Sequence, residues 1–305
     1  MKKLIITILG FLLLFSLTSC GNPTISYTDK NGNHVEVKLE ETKDQEKCKK
    51  ALGYILASDY LTTTIEANLN AKVSLKDSNL SNTKDISTNE MTISGSLKKD
   101  STYLDAFGEM NSITNTYDVV TDKNKTENVT TSVNIDLDME EKMGYYAINL
   151  PGFSYKVKSD ISEQLDEIGN NTTTPDSTIK DPMELLDEYN GVLEIIRVSS
   201  KNFTMQIILS PKDVAGSNAS GPISKFENIT FNVTVETKTG RLTSISSNYK
   251  SSATYKDESS NNERLAEVEF KLEFNINYPK KVAITKLTDT EKGAYLDTTT
   301  PPFGV

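Results

Sequence analysis

Val268-Glu269-Phe270-Lys271-Leu272-Glu273-Phe274-Asn275-Ile276-Asn277-Tyr278 alternates apolar and polar residues along its whole length, and Pro279 stops the run. Side chains on a β-strand point to opposite faces in turn, so this pattern predicts a strand with one buried and one wet face. Proline has no amide hydrogen to donate to a ladder, which explains the stop. Working backwards, the same period of two recurs. Residues 242–255 follow a turn at Thr239-Gly240; Ile229, Phe231, Val233 and Val235 alternate, as do Phe203, Met205, Ile207 and Leu209; residues 192–198 make a further strand. In the first half, Ile65, Ala67, Leu69, Ala71, Val73 and Leu75 alternate with polar residues, then Met91, Ile93, Gly95 and Leu97. Further strands are predicted at 102–107, 117–121, 129–139, 145–150 and 153–157, the last two around Pro151-Gly152. The polar stretches 76–89 and 256–264 read as loops.

Helical signals are few. Cys48, Ala51, Leu52, Ile55 and Leu56 form one apolar stripe within 44–58. Ser159 opens a short turn with Ile161, Leu165 and Ile168 on one side. Asp181-Pro182 has the N-cap and first-turn residues of another helix, whose apolar side is Met183, Leu186 and Tyr189 and whose end is Asn190-Gly191. Ten to twelve strands with two or three helices, and no strand–helix–strand rhythm, predict a mainly β (α+β) antiparallel meander with helices packed on one face.

At the chain start, Lys2 and Lys3 precede an apolar run from residue 4 to 15, and Leu17-Thr18-Ser19-Cys20 closes it. This is the order of a secretory signal, too short to span a bilayer as a mature helix. The Leu-Thr-Ser-Cys ending resembles the lipobox of bacterial lipoproteins. That resemblance implies cleavage between Ser19 and Cys20 and a lipid on Cys20, hence a chain anchored at the extracytoplasmic face of the cell membrane. Without residues 1–19, which carry two lysines and no acid, the formal charge of −10 becomes −12. Such acidity argues against nucleic acid as a partner and against electrostatic attraction to an anionic membrane, leaving the lipid as the attachment. With Cys20 lipidated, Cys48 is the remaining cysteine; no internal disulfide forms, and its place on the helical stripe predicts a buried, inert thiol.

Residues 24–39 read as a hairpin around Asn31-Gly32, with Ile25 and Tyr27 facing Val35, Val37 and Leu39. The nearby Asp29 to Asn33 stretch lacks the glycine position of a calcium loop. The domain reading is a signal peptide at 1–19, a tether and hairpin at 20–43, a curved-sheet domain at 44–284 and a loosely held polar tail at 285–305.

The order of pieces also resembles the LolA/LolB and LppX/LprG group of lipoprotein and lipid carriers and their Gram-positive relatives of unknown function. The carrying features are the amphipathic helix followed by long alternating strands, Gly144-Tyr145-Tyr146, a helix-rich insert at 159–189, Lys238-Thr-Gly-Arg-Leu242 between two strands, and the final aromatic strand. The resemblance implies a strongly curved antiparallel sheet, an open half-barrel, with helices on the concave face and an apolar space for acyl chains. It brings no catalytic residues. Met183, Leu186 and Tyr189 would line such a space, or would form part of a filled core; both readings stand on the sequence.

Chemistry of other kinds is sparse. The single histidine, His34, sits beside a turn, and no nucleophile elbow, P-loop or dinucleotide fingerprint occurs. The expectation is a protein that is not an enzyme and uses no metal or cofactor. Abundant carboxylates keep a paired-acid hydrolase open, although Asp136, Asp138, Asp257 and Glu258 read as solvated surface. A lipid or other apolar ligand is the favoured partner; the alternative is a structural or protein-binding surface lipoprotein with a filled core.

Overall fold

Strands dominate the computed structural model, which describes residues 22–29, 32–58, 63–118, 121–163, 165, 186–215 and 221–298. A hairpin of β1 (Thr24–Thr28) and β2 (His34–Lys38) leads into α1 (Gln45–Leu56). A six-strand meander follows: β3 (Ile65–Asn79), β4 (Ile86–Lys99), β5 (Tyr103–Asp118), β6 (Lys123–Asp138), β7 (Met143–Leu150) and β8 (Phe153–Asp160). A second meander comprises β9 (Val192–Val198), β10 (Asn202–Leu209), β11 (Ile229–Glu236), β12 (Leu242–Lys256) and β13 (Glu263–Asn277), with the short α2 (Pro211–Ala215) between β10 and β11. The described chain ends with α3 (Asp289–Lys292) and β14 (Leu296–Asp297).

The two meanders form one curved sheet that does not close into a barrel, in the order β14-β8-β7-β6-β5-β4-β3-β13-β12-β11-β10-β9. Its seam is β3 against β13, registered without a break from Asn79 opposite Arg264 to Glu66 opposite Asn277. The pairings are antiparallel except β14 on β8. The mainly β antiparallel meander predicted from the alternation is therefore what the chain forms, and the sheet is curved and unclosed, as the resemblance implied.

Strand lengths depart from the sequence reading. β5 and β6 are single strands of 16 residues, and β3 and β4 run well into the stretch 76–89 that reads as a loop. The reason is physical: residues 123–128 of β6 are exposed on both faces, so backbone pairing continues where no alternation marks it.

The main core lies under α1. Asp44 caps the helix, its carboxylate accepting from the amides of Glu46 and Lys47. Cys48, Ala51, Leu52 and Ile55 are buried against Leu193, Ile195, Phe203, Met205, Val233 and Val235 of β9–β11, with Ile25, Val37 and Leu39 of the hairpin side closing the cluster. The hairpin thus shares its core with the sheet. Leu56, placed on the stripe by spacing, is 44% exposed, and Tyr54 is buried instead, its hydroxyl donating to Thr237 O at 3.0 Å. Gln45 locks the helix to the sheet edge by donating to Leu193 O (2.8 Å) and accepting from Leu193 N (3.0 Å). Gly240 (φ +72°) turns the chain beneath the end of α1, where a Cβ would lie 2.4 Å from Ser58 Oγ; a side chain there is excluded twice over.

Residues 285–298 are not the loose tail expected. They pack on the opposite face of the sheet over β5–β8. Tyr295 is buried with its ring edge-on to Tyr145 (5.4 Å, 81°), Leu287 joins the same cluster, and α3 carries a Thr288–Glu291 capping box. Lys292 Nζ reaches Glu141 (2.6 Å) and Asp138 (3.4 Å). The segment's polar composition hid a docking made through Leu287, Tyr295, Lys286 and Lys292, and through β14 on β8.

Two aromatic substitutions separate core from surface. Phe203→Ala, at a fully buried site, is expected to lower unfolding free energy by about 3–5 kcal/mol, whereas Phe153→Ala, 58% exposed, should change it by less than about 0.5 kcal/mol. Chemical denaturation of the two variants measures both.

Candidate ligand-binding face

Cross-strand register places one apolar residue from each of eleven strands in a single row: Ile195, Met205, Val233, Ile245, Phe274, Leu69, Gly95, Gly108, Val133, Ile148 and Tyr155. Directly opposed residues share a face, so the row identifies one continuous face of the sheet. A parallel row adds Leu272, Ala71, Ile93 and Met110. The other face of the same strands carries charge: Lys72 pairs with Glu90, Lys76 with Glu267 and Lys250 with Glu269.

Coverage of the apolar face is uneven. Under α1 its residues are buried and from β12 to β6 the row is half-exposed; at the far end Tyr155 is 38% exposed, but Tyr146 and Val157 on the same face of β7 and β8 are 0% and 2% exposed. A Cβ added at Gly108 would meet no atom within 4 Å, so among the described residues the face is open above β5. Gly95 opposite Gly108, with Ala71 and Ala106 nearby, makes this region a shallow trough. At the β12 side the rings of Phe231 and Phe270, on strands two apart, lean together to 6.1 Å over Ser247, which is 4% exposed. Strand spacing of about 4.8 Å gives the half-exposed region from β13 to β6 a width of roughly 19 Å, on strands about 50 Å long. The largest apolar patch of a monomer, about 300–600 Å² as a rule, is often functional.

The two ends of the trough differ. At one end Arg264 is neutralised by Asp77 (3.0 Å) and Asp85 (2.8 Å), and Tyr255 donates to Asp77 at 2.8 Å. The guanidinium holds the Asp85 carboxyl below its ordinary range. At the other end Arg241 donates to Thr63 Oγ1 (2.9 Å) and lies 5.2 Å over the Tyr278 ring, beside an open hollow of about 480 Å³. Of two further hollows, the one of about 500 Å³ near Lys250 has mainly polar walls and the one of about 600 Å³ near Tyr117 mainly apolar walls.

The predicted lining residues do not meet this trough as a group. Leu186 is buried in the core under α1, close to Gly191 and Leu209, and so belongs to the filled core; Tyr189 is half-buried on the turn after it. Met183, Ser19 and Cys20 lie outside the described residues. Cys48 is buried as predicted, its Sγ donating to Thr42 O at 3.6 Å, and burial pushes its thiol pKa up. His34 is exposed. Among the described residues no group of three His, Cys, Asp or Glu side chains could hold a metal ion. Arg241 escaped the sequence reading, because a lone arginine after a turn signals nothing until the fold brings Thr63 and Tyr278 to it.

Asp136 and Asp138 are not the solvated acids expected: they are 7% and 3% exposed beneath residues 285–298. Tyr103 donates to Asp136 Oδ1 at 3.1 Å, and burial raises the Asp136 carboxyl to about 6. Asp138 is held low despite its burial, by the Glu141 amide and Lys292. No open hollow described here includes either acid.

No family model and no curated protein matches the chain.

A carboxyl raised in the fold favours folding at low pH and opposes it once ionised. The Asp136 contribution should therefore diminish stability as pH rises from about 4 to about 6, by up to roughly 2–3 kcal/mol. Asp136→Asn, which keeps an acceptor for Tyr103, is expected to raise the melting temperature at pH 7.5 and leave it nearly unchanged at pH 4, as thermal unfolding at both pH values would register.

Proposed function

We propose that this is a non-catalytic lipoprotein, anchored through Cys20 at the extracytoplasmic face of the membrane, that holds an acyl chain or similar apolar ligand on the open face of its curved sheet. The observation that carries the reading is the apolar trough between β13 and β6, half-exposed among the described residues, with open space above Gly108. A sheet that spent this face only on its own core would cover it; among the described residues the cluster under α1 extends from β9 to β12. Burying apolar surface stabilises a complex by about 25 cal/mol per Å², so a ligand covering half of the trough has a sufficient driving force. The long strands make the surface stiff, which lowers the ordering cost of binding. The second reading, a partner-binding surface lipoprotein with a filled core, draws on Leu186, whose side chain fills the space beneath α1.

Gly108→Phe separates the two readings. A glycine with negative-φ extended backbone tolerates a strand-forming aromatic, so the fold should survive while the ring fills the trough. Wild-type protein is expected to take up a fluorescent fatty acid saturably, and Gly108→Phe to weaken uptake about tenfold or more at unchanged melting temperature. No uptake by the wild type, or equal uptake by both, contradicts the ligand reading. For the anchor, Cys20→Ser should abolish metabolic labelling with palmitate and release the protein from the membrane fraction; retained label on the variant contradicts lipidation at this residue.

A further inference from the structure

Resting on that reading, we propose that Arg241, assisted by Lys238, binds the anionic head, a carboxylate or phosphate, of the amphiphile whose chain lies in the trough. Of the two half-buried arginines, Arg264 is surrounded by Asp77 and Asp85, whereas Arg241 has no carboxylate within ion-pair distance among the described residues. Its charge is nevertheless fixed in place: Nη2 donates to Thr63 Oγ1, Tyr278 lies under the guanidinium, and the main-chain amide donates to Thr239 Oγ1 at 3.3 Å. A half-buried guanidinium held by a neutral hydroxyl and an aromatic ring keeps donors for a planar anion.

The hollow of about 480 Å³ beside it is lined by Arg241, Lys238, Thr239, Thr243, Ile276 and Tyr278, together with Glu236 and Asn277. Glu236 is the opposing charge, and its carboxylate already accepts the Thr239 hydroxyl at 2.5 Å. Lys238 makes no ion pair with a described residue, so two cations face one acid. Ile276 connects the hollow to the trough, since it is opposite Ala67 on β3, and Ala67 is opposite Leu97 on β4. The other end of the trough is unsuited to an anion: Asp77 and Asp85 outweigh Arg264 there, and Asp257 adds a further negative charge. The polarity of the two ends therefore orients the amphiphile, head at Arg241 and chain toward β5.

The test uses residues 21–305, which contain every described element, with four probes: oleate, oleoyl phosphate, neutral monoolein and inorganic phosphate. Charge-assisted contacts to arginine support an effect of about tenfold or more. Arg241→Gln is expected to weaken oleate and oleoyl phosphate by at least that factor and to leave monoolein within about twofold. Arg241→Lys should recover most of the loss, which also guards against a folding defect in the glutamine variant. Equal binding of oleate by wild type and Arg241→Gln overturns the head assignment while the trough reading stands. Failure of both oleate and monoolein to bind the wild type overturns the two together. Arg241-dependent binding of inorganic phosphate as tight as that of oleoyl phosphate overturns the amphiphile as the source of the anion.

Discussion

The seam between β3 and β13 is the constraint on which the molecule depends. It joins the first long strand to the last across nearly the whole sequence and fixes the relation of two otherwise separate meanders. Because side chains alternate with a period of two, a slip of one residue there would turn the apolar residues of one meander onto the charged face of the other. Leu69 opposite Phe274, Ala71 opposite Leu272 and Val73 opposite Phe270 set that register, and the Arg264 network with Asp77 and Asp85 pins its far end.

From this register follows a sheet whose two faces differ in chemistry along its width. The molecule covers them at opposite ends. The hairpin and α1 seal the apolar face over β9–β11, and residues 285–298 seal the other face over β5–β8. The second cover costs stability at neutral pH, because it buries Asp136; Lys292 offsets part of this by pairing with Asp138 and Glu141. Among the described residues, what the two covers leave open is the trough, bounded by a saturated arginine at one end and an unsaturated one at the other. The proposed binding surface thus lies where the described residues stop covering the sheet.

The sequence made the sheet legible wherever one face is apolar. The runs at 65–75 and 268–278 state the seam strands plainly, and Asp44 with the Cys48 stripe states α1. Legibility ended where both faces are wet, as in residues 123–128 of β6, or where a few residues dock a polar segment, as Tyr295 and Lys292 do. The candidate site was legible only as a class. Alternation announced an apolar face, but its uncovered portion depends on which strands lie beyond the reach of α1. Leu186 shows the difficulty: its helical spacing fits a cavity wall and a filled core equally, and only Gly191 and Leu209 beside it decide. Arg241 is similar, since a charge without a partner is visible only once its neighbours are known.

The most direct measurement of the central claim is native mass spectrometry of residues 21–305 purified from bacteria, with extraction and identification of any bound lipid. An apolar trough that serves as a ligand site predicts co-purified acyl species in near-stoichiometric amount, lost on delipidation and regained on adding lipid. A clean protein mass throughout, with no uptake of added lipid, would contradict the account and leave the apolar face to another purpose.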